Sequence, residues 1–116
     1  MTDRRTTPIY AVVDRDAVIS MDLVETLREA GPCKVYQYNS IADFRADLAR
    51  YERLTAAFLE TGYDAITRDG LDRTLEGLGA RIVMTAGEAD APRVADRGWK
   101  HLVRPFTGEM VRESLS

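Results

Sequence analysis

The sequence predicts an α/β fold, a doubly wound parallel sheet of five strands in the order 2-1-3-4-5. Two observations predict it. The runs Ile9-Tyr10-Ala11-Val12-Val13, Ala56-Ala57-Phe58-Leu59 and Ile82-Val83-Met84 lack polar alternation, the mark of strands buried on both faces. Between them, apolar residues recur at three- and four-residue spacing, the period of helices. The 116 residues accommodate this alternation within one domain, assigned to residues 8–116, behind a polar leader at 1–7.

Each element has a local reason. After Ile9–Val13, Asp16 stands where a helix N-cap belongs, and Ile19, Leu23, Leu27 and Ala30 mark one helical face. Gly31-Pro32 ends that helix, Gly by its left-handed freedom and Pro by blocking continuation. Lys34–Tyr38 is a less apolar strand and belongs at a sheet edge; Tyr36 and Tyr38 share one of its faces and pack against a helix. Ser40 with Asp43 forms a capping-box pattern, followed by the stripe Ile41, Phe44, Leu48 and Tyr51. Ala56–Leu59 is the third strand. Leu71, Leu75 and Leu78 make a third helical face, stopped by Gly79. Arg81–Met84 is the fourth strand, a fourth helix covers 89–97 with Pro92 near its start, and 100–103 is the fifth strand. Thr107 caps a last helix carrying Met110, Val111 and Leu115.

Composition narrows the function. Hydrophobic residues form 45% of the chain, enough to fold. A net charge of −3 with both signs mixed argues against a nucleic-acid partner. Cys33 stands alone, so no disulfide framework or cysteine metal site is available, which fits a reducing cytoplasm; its expected role is a small packed hydrophobe. No apolar run reaches the ~20 residues of a membrane span or has the form of a signal peptide.

The chemistry lies where strands end. Asp14-Arg15-Asp16 follows strand one, Glu60 follows strand three, Thr85 follows strand four and Arg104 follows Leu102-Val103. In an open parallel sheet these ends converge on one crevice, the usual ligand site.

In this order the segments Val12-Val13-Asp14-Arg15-Asp16, Ala57-Phe58-Leu59-Glu60, Val83-Met84-Thr85-Ala86 and Val103-Arg104-Pro105-Phe106 resemble the motifs of the receiver domain of two-component response regulators. The resemblance covers residues 8–115 and implies a flavodoxin-like fold. In that family an acidic cluster holds Mg²⁺, an Asp after strand three accepts a phosphoryl group from a histidine kinase, and a Ser or Thr and a Lys contact its oxygens. By position, Glu60 resembles the acceptor, Asp14, Arg15 and Asp16 the acidic cluster, and Thr85 and Arg104 the phosphate contacts. His101 falls at the family's aromatic switch position. Together with Trp99, Pro105 and Phe106 it belongs to the face that carries partner contacts in relatives.

Three departures matter physically. Arg15 offers only donors, cannot ligate a hard cation, and is expected to pair with Glu60 or Asp14. Glu60 is one methylene longer than Asp, displacing its oxygens by roughly 1.5 Å, and in-line phosphoryl transfer tolerates such shifts poorly. Arg104 replaces a compact ammonium with a planar fork suited to a carboxylate, so it too is a candidate partner of Glu60. Thr85 either contacts an oxyanion or bonds its local backbone. His101 is either a switch or a packed histidine, and Trp99 anchors the start of strand five or, if exposed, marks a partner surface.

The resulting expectation is an atypical, stand-alone receiver-like signalling module, not an enzyme. It would act by protein–protein interaction without phosphorylation, with no bound metal or cofactor. Its partner would be a signalling protein such as a histidine kinase or downstream regulator, in the cytoplasm, away from membrane and nucleic acid. One alternative is a phosphorylatable single-domain response regulator in a phosphorelay, with Mg²⁺ held by Asp14 and Asp16. A more distant one is a flavodoxin-like nucleotide or flavin binder, which needs a glycine- or hydroxyl-rich phosphate loop after strand one where this chain has two anions.

Overall fold

A computed structural model describes residues 7–86, 91–102 and 107–115. The elements in chain order are β1 (Ile9–Val13), α1 (Ala17–Glu29), β2 (Lys34–Tyr38), α2 (Ile41–Asp47), β3 (Ala56–Leu59), α3 (Tyr63–Thr67), α4 (Leu71–Gly77), β4 (Arg81–Met84), α5 (Ala91–Asp96), β5 (Lys100–His101) and α6 (Gly108–Ser114). All strand pairs are parallel and the sheet order is β2-β1-β3-β4-β5, as the alternation predicts.

Strand geometry sorts the core into two layers, because successive side chains point to opposite faces. Ala11, Val13, Ala57, Leu59, Ile82 and Met84 face one way, against Phe44, Ile66, Leu71, Leu75 and Val94 of α2 to α5. Tyr10, Val12, Ala56, Phe58 and Val83 face the other, against Leu23, Val24 and Leu27 of α1 and Val111 of α6. The inner strands are apolar throughout because both layers need them. β2 pairs with β1 alone and has no buried residue, so its mixed composition marks it as an edge.

Capping follows the sequence. Asp16 accepts from the N–H groups of Val18 and Ile19, Ser40 from that of Asp43, and Thr107 from that of Met110. Gly79 leaves α4 at φ +79°, a left-handed conformation that glycine adopts without steric cost.

Three expectations need correction. Ala30 is the exposed C-cap of α1, and the buried stripe is Ser20, Leu23, Val24 and Leu27, because the helix stops one residue earlier than its apolar spacing suggests. Gly31, next in the chain, does take a positive φ of +147°, a conformation that favours glycine. The second helix ends at Asp47 and tightens into a 3-10 turn over Leu48–Arg50, leaving Tyr51 extended yet still packed on the core. A five-residue helix, α3, precedes α4; with Ile66 as its only buried residue it is too short to show a period. Thr7, the last residue of the expected leader, accepts at its carbonyl from Arg53 Nη2 at 2.7 Å. The expected residues 89, 90 and 103, and positions 1–6, lie outside the described residues.

Candidate functional site

The sheet ladders run one residue past each strand, and this aligns the polar positions. The Asp14 N–H donates to the Tyr38 carbonyl at 3.0 Å, that of Glu60 to Val13 at 2.9 Å, and that of Thr85 to Leu59 at 2.9 Å. The Leu102 N–H reaches the Met84 carbonyl at 2.8 Å. Asp14, Glu60 and Thr85 therefore form a row along the carboxyl edge of three adjacent strands, with Arg15 beside them.

Arg15 and Glu60 form a bidentate pair. Arg15 Nε donates to Glu60 Oε1 and Nη2 to Oε2, both at 3.2 Å, and the Arg15 backbone N–H adds a third bond to Oε1 at 3.2 Å. The Glu60 side chain is only 13% exposed while that of Arg15 is 82% exposed, so a nearly buried carboxylate is capped by a guanidinium reaching in from solvent. Hydrogen bonding to Glu60, and then the charge of Glu60, raises the Arg15 pKa above its ordinary value. Arg15 lines two concavities. One, about 450 Å³, includes Glu60, Ser40 and Ala86; the other, about 510 Å³, includes Asp14, Met21 and Asp43.

The two aspartates have structural work. Asp14 is 5% exposed and its Oδ1 accepts from the Asp16 N–H at 2.8 Å. Asp16 Oδ1 caps α1, at 2.9 Å from the Val18 nitrogen and 3.4 Å from that of Ile19. Thr85 is 4% exposed, and its Oγ1 has no hydrogen-bond partner among the described residues. The local backbone bond considered for it does not form among the described residues. His101 lies opposite Met84 on β5, half-buried, with Nε2 likewise unpartnered among the described residues.

Trp99 is not an exposed marker of a partner surface. It is 7% exposed and sits at the start of β5, its ring 5.2 Å from that of Tyr63 and 4.6 Å from the Arg97 guanidinium. The ring fills the layer beneath α3 and α5, so it is an anchor. Arg104, Pro105 and Phe106 lie outside the described residues.

A Mg²⁺ ion needs several oxygen ligands in near-octahedral order. Here a guanidinium occupies the position beside Asp14, the Glu60 carboxylate is held on both oxygens by Arg15, and Asp16 caps a helix. Among the described residues no three His, Cys, Asp or Glu side chains converge as a metal site. These donors do not fit the ion.

Two side-chain networks escaped the sequence. Arg97 Nη2 lies 2.6 Å from Asp72 Oδ2 and 3.6 Å from Glu76 Oε1, and its Nη1 is 3.4 Å from the Tyr63 hydroxyl. Arg93 pairs with Asp64 at 3.1 Å and covers the Tyr63 ring at 4.4 Å. These contacts clamp α5 to α3 and α4. Burial alone would raise the Asp72 pKa; the Arg97 hydrogen bond and the backbone N–H groups of Arg73 and Asp72 outweigh it, so the carboxyl is held below its usual value. The signal was present as Asp72 and Glu76, one helical turn apart on α4, which both face Arg97 just past the end of α5.

In the second network Tyr38 donates to Asp47 Oδ2 at 2.8 Å, which leaves Tyr51 as donor to the Tyr38 oxygen at 2.6 Å. Burial, then these hydrogen bonds, pushes the Tyr38 phenol far above its ordinary value. Tyr38 packs on Phe44 of α2 with ring centroids 5.1 Å apart, whereas Tyr36, 45% exposed, meets the Tyr51 ring beyond that helix edge-on at 5.7 Å.

No family model and no curated protein matches the chain. Solved structures do. A response regulator receiver protein from Burkholderia phymatum superposes with a TM-score of 0.70 at 22% identity, covering 94% of this chain and 95% of its own. A CheY-like response regulator receiver domain protein from Methanospirillum hungatei JF-1 gives 0.69 at 24% identity, with 93% and 91% covered. Coverage above nine-tenths on both sides makes this a likeness of the whole fold.

Proposed function

We propose that this chain, whose fold is that of a receiver domain, is a signalling module that acts by binding a partner protein and does not accept phosphate. The Arg15–Glu60 pair carries the reading. A guanidinium already spans both oxygens of the carboxylate at the acceptor position, supplying the counter-charge that a divalent ion gives in phosphoryl transfer. The module is no enzyme, carries no metal or cofactor and works in the cytoplasm. Among the described residues no helix is long and apolar enough to cross a membrane.

Partner contact is supported on α1, where Val18 and Met21 are 69% and 56% exposed and Met21 borders the crevice beside Arg15. A signalling protein docking there would sense the state of the Arg15–Glu60 pair directly. Neighbouring exposed apolar side chains such as these are the feature such a docking reads.

One observation favours the phosphorylatable alternative: the buried hydroxyl of Thr85, unpartnered at the crevice edge, is free to donate to an oxyanion. The deciding experiment incubates the protein with Mg²⁺ and a small-molecule phosphodonor and measures intact mass. The proposal expects no phosphoryl adduct and unchanged binding of the native partner. An adduct on Glu60 would overturn it. Charge substitutions Val18→Asp and Met21→Asp should abolish partner capture while leaving the melting temperature within a few degrees.

A further inference from the structure

The opposite, amino-terminal edge of the sheet holds a second site. A groove of about 800 Å³ runs beneath the starts of β3, β4 and β5, where the described lining residues include Arg53, Arg81, Arg97 and Lys100 with the carboxylate of Glu76. This is a concentration of positive charge in a chain whose net charge is −3. Its volume lies within the range of small-ligand sites.

Among the described residues, two of these cations, Arg53 and Lys100, stand outside any ion pair. Arg97 is matched by Asp72 and Glu76. Arg53 donates only to the Thr7 carbonyl, a neutral acceptor, and Lys100 forms no ion pair among the described residues. The indole N–H of Trp99, in the same wall, has no acceptor among the described residues. The topology explains the gathering. Arg53 precedes β3, Arg81 opens β4 opposite Ala56, and Lys100 opens β5 opposite Val83. Three neighbouring strands spaced at ~4.8 Å spread these cations over ~10 Å. A single tetrahedral oxyanion is too small to meet them all, whereas an extended anion with two or more phosphates suits the spacing.

We propose that this groove binds a small oligophosphate ligand, a diphosphate or nucleoside polyphosphate, through Arg53 and Lys100. The ligand would supply a counter-charge to Arg53 and Lys100, and by binding the folded state alone it would stabilise the protein. The site is separate from the Glu60 crevice, so it can hold whether or not the reading of that crevice does.

The test is calorimetric titration of the whole protein with pyrophosphate and with ATP, at low salt and without Mg²⁺, alongside the fluorescence of Trp99, the single tryptophan. Saturable one-to-one binding is expected, with a rise in melting temperature. Arg53→Ala/Lys100→Ala should weaken it about tenfold or more, and Lys100→Glu alone should weaken it should the double variant fold poorly. Arg15→Ala, at the far edge, should leave it unchanged. Absence of both heat and fluorescence change at millimolar ligand would overturn the proposal. So would binding insensitive to the groove variants, equal affinity for orthophosphate, or tighter binding of a single-stranded oligonucleotide at equal phosphate concentration.

Discussion

Three hydrogen bonds, all at 3.2 Å, join Arg15 to Glu60, two from the guanidinium and one from the backbone N–H. Because the backbone bond survives truncation of Arg15, the two residues should couple asymmetrically. Glu60→Ala removes all three bonds and should lower the melting temperature by more than Arg15→Ala does. The paired substitution should cost less than the sum of the two. Additive losses in a double-mutant thermal melt would refute a direct pair.

Glu60→Asp alone shortens the acid but leaves the guanidinium in place. It is expected to give no phosphoryl adduct with a small phosphodonor. Combining it with Arg15→Asp gathers carboxylates beside Asp14 and should create millimolar Mg²⁺ affinity, detectable by calorimetry. Trp99 is a poor reporter for that titration, since it sits at the other end of β5 among Tyr63 and Arg97. An adduct on the single variant would show that Arg15 is no barrier.

Thr85 places a buried hydroxyl with no partner among the described residues. Its removal in Thr85→Val keeps the shape and should stabilise the fold by about 1 kcal/mol, the usual order of cost for an unsatisfied buried polar group. Chemical denaturation checks this. A loss of stability would reveal a hydrogen bond, through water or otherwise, that the hydroxyl makes.

Asp72, buried against Arg97, has a lowered pKa. A carboxyl depressed in the folded state contributes stability above its unfolded pKa, near 3.9, and loses it as pH falls through the folded value. The stability gap between wild type and Asp72→Asn should therefore be full at neutral pH and close below about pH 4. A gap independent of pH would mean the pair contributes through shape alone.

Tyr38 behaves in the opposite sense. Its phenol stays protonated in the fold well past its ordinary value, so its contribution is complete below about pH 10 and declines as pH rises above that. Tyr38→Phe should cost about 0.5–1.5 kcal/mol at neutral pH. The difference from wild type should shrink in alkaline denaturant melts.

Much of this architecture was legible in the chain because burial on two faces leaves continuous apolar runs and caps leave Asp, Ser and Thr at fixed offsets. Asp16, Ser40 and Thr107 all cap as their spacing indicates. The crevice was legible for the same reason, since parallel topology carries Asp14 and Glu60 to one edge. What escaped was short or non-local. α3 has five residues and one buried side chain, less than two turns of evidence. The cations of the groove, at 53, 81, 97 and 100, are scattered in sequence and meet only because three strands start side by side. Trp99 was ambiguous because its exposure depends on Tyr63, contributed by the helix the periodicity does not reveal.

The clamp that Arg93 and Arg97 place on Tyr63, Asp64 and Asp72 has a mechanical result. Segments 63–77 and 91–97 are riveted flank to flank, so neither can peel from the sheet without dragging the other. Amide protons there should exchange in concert, as one cooperative unit on the flank facing away from α1. Any signal travelling between the two rims of the sheet along that side would be passed by a rigid plate, not a swinging helix.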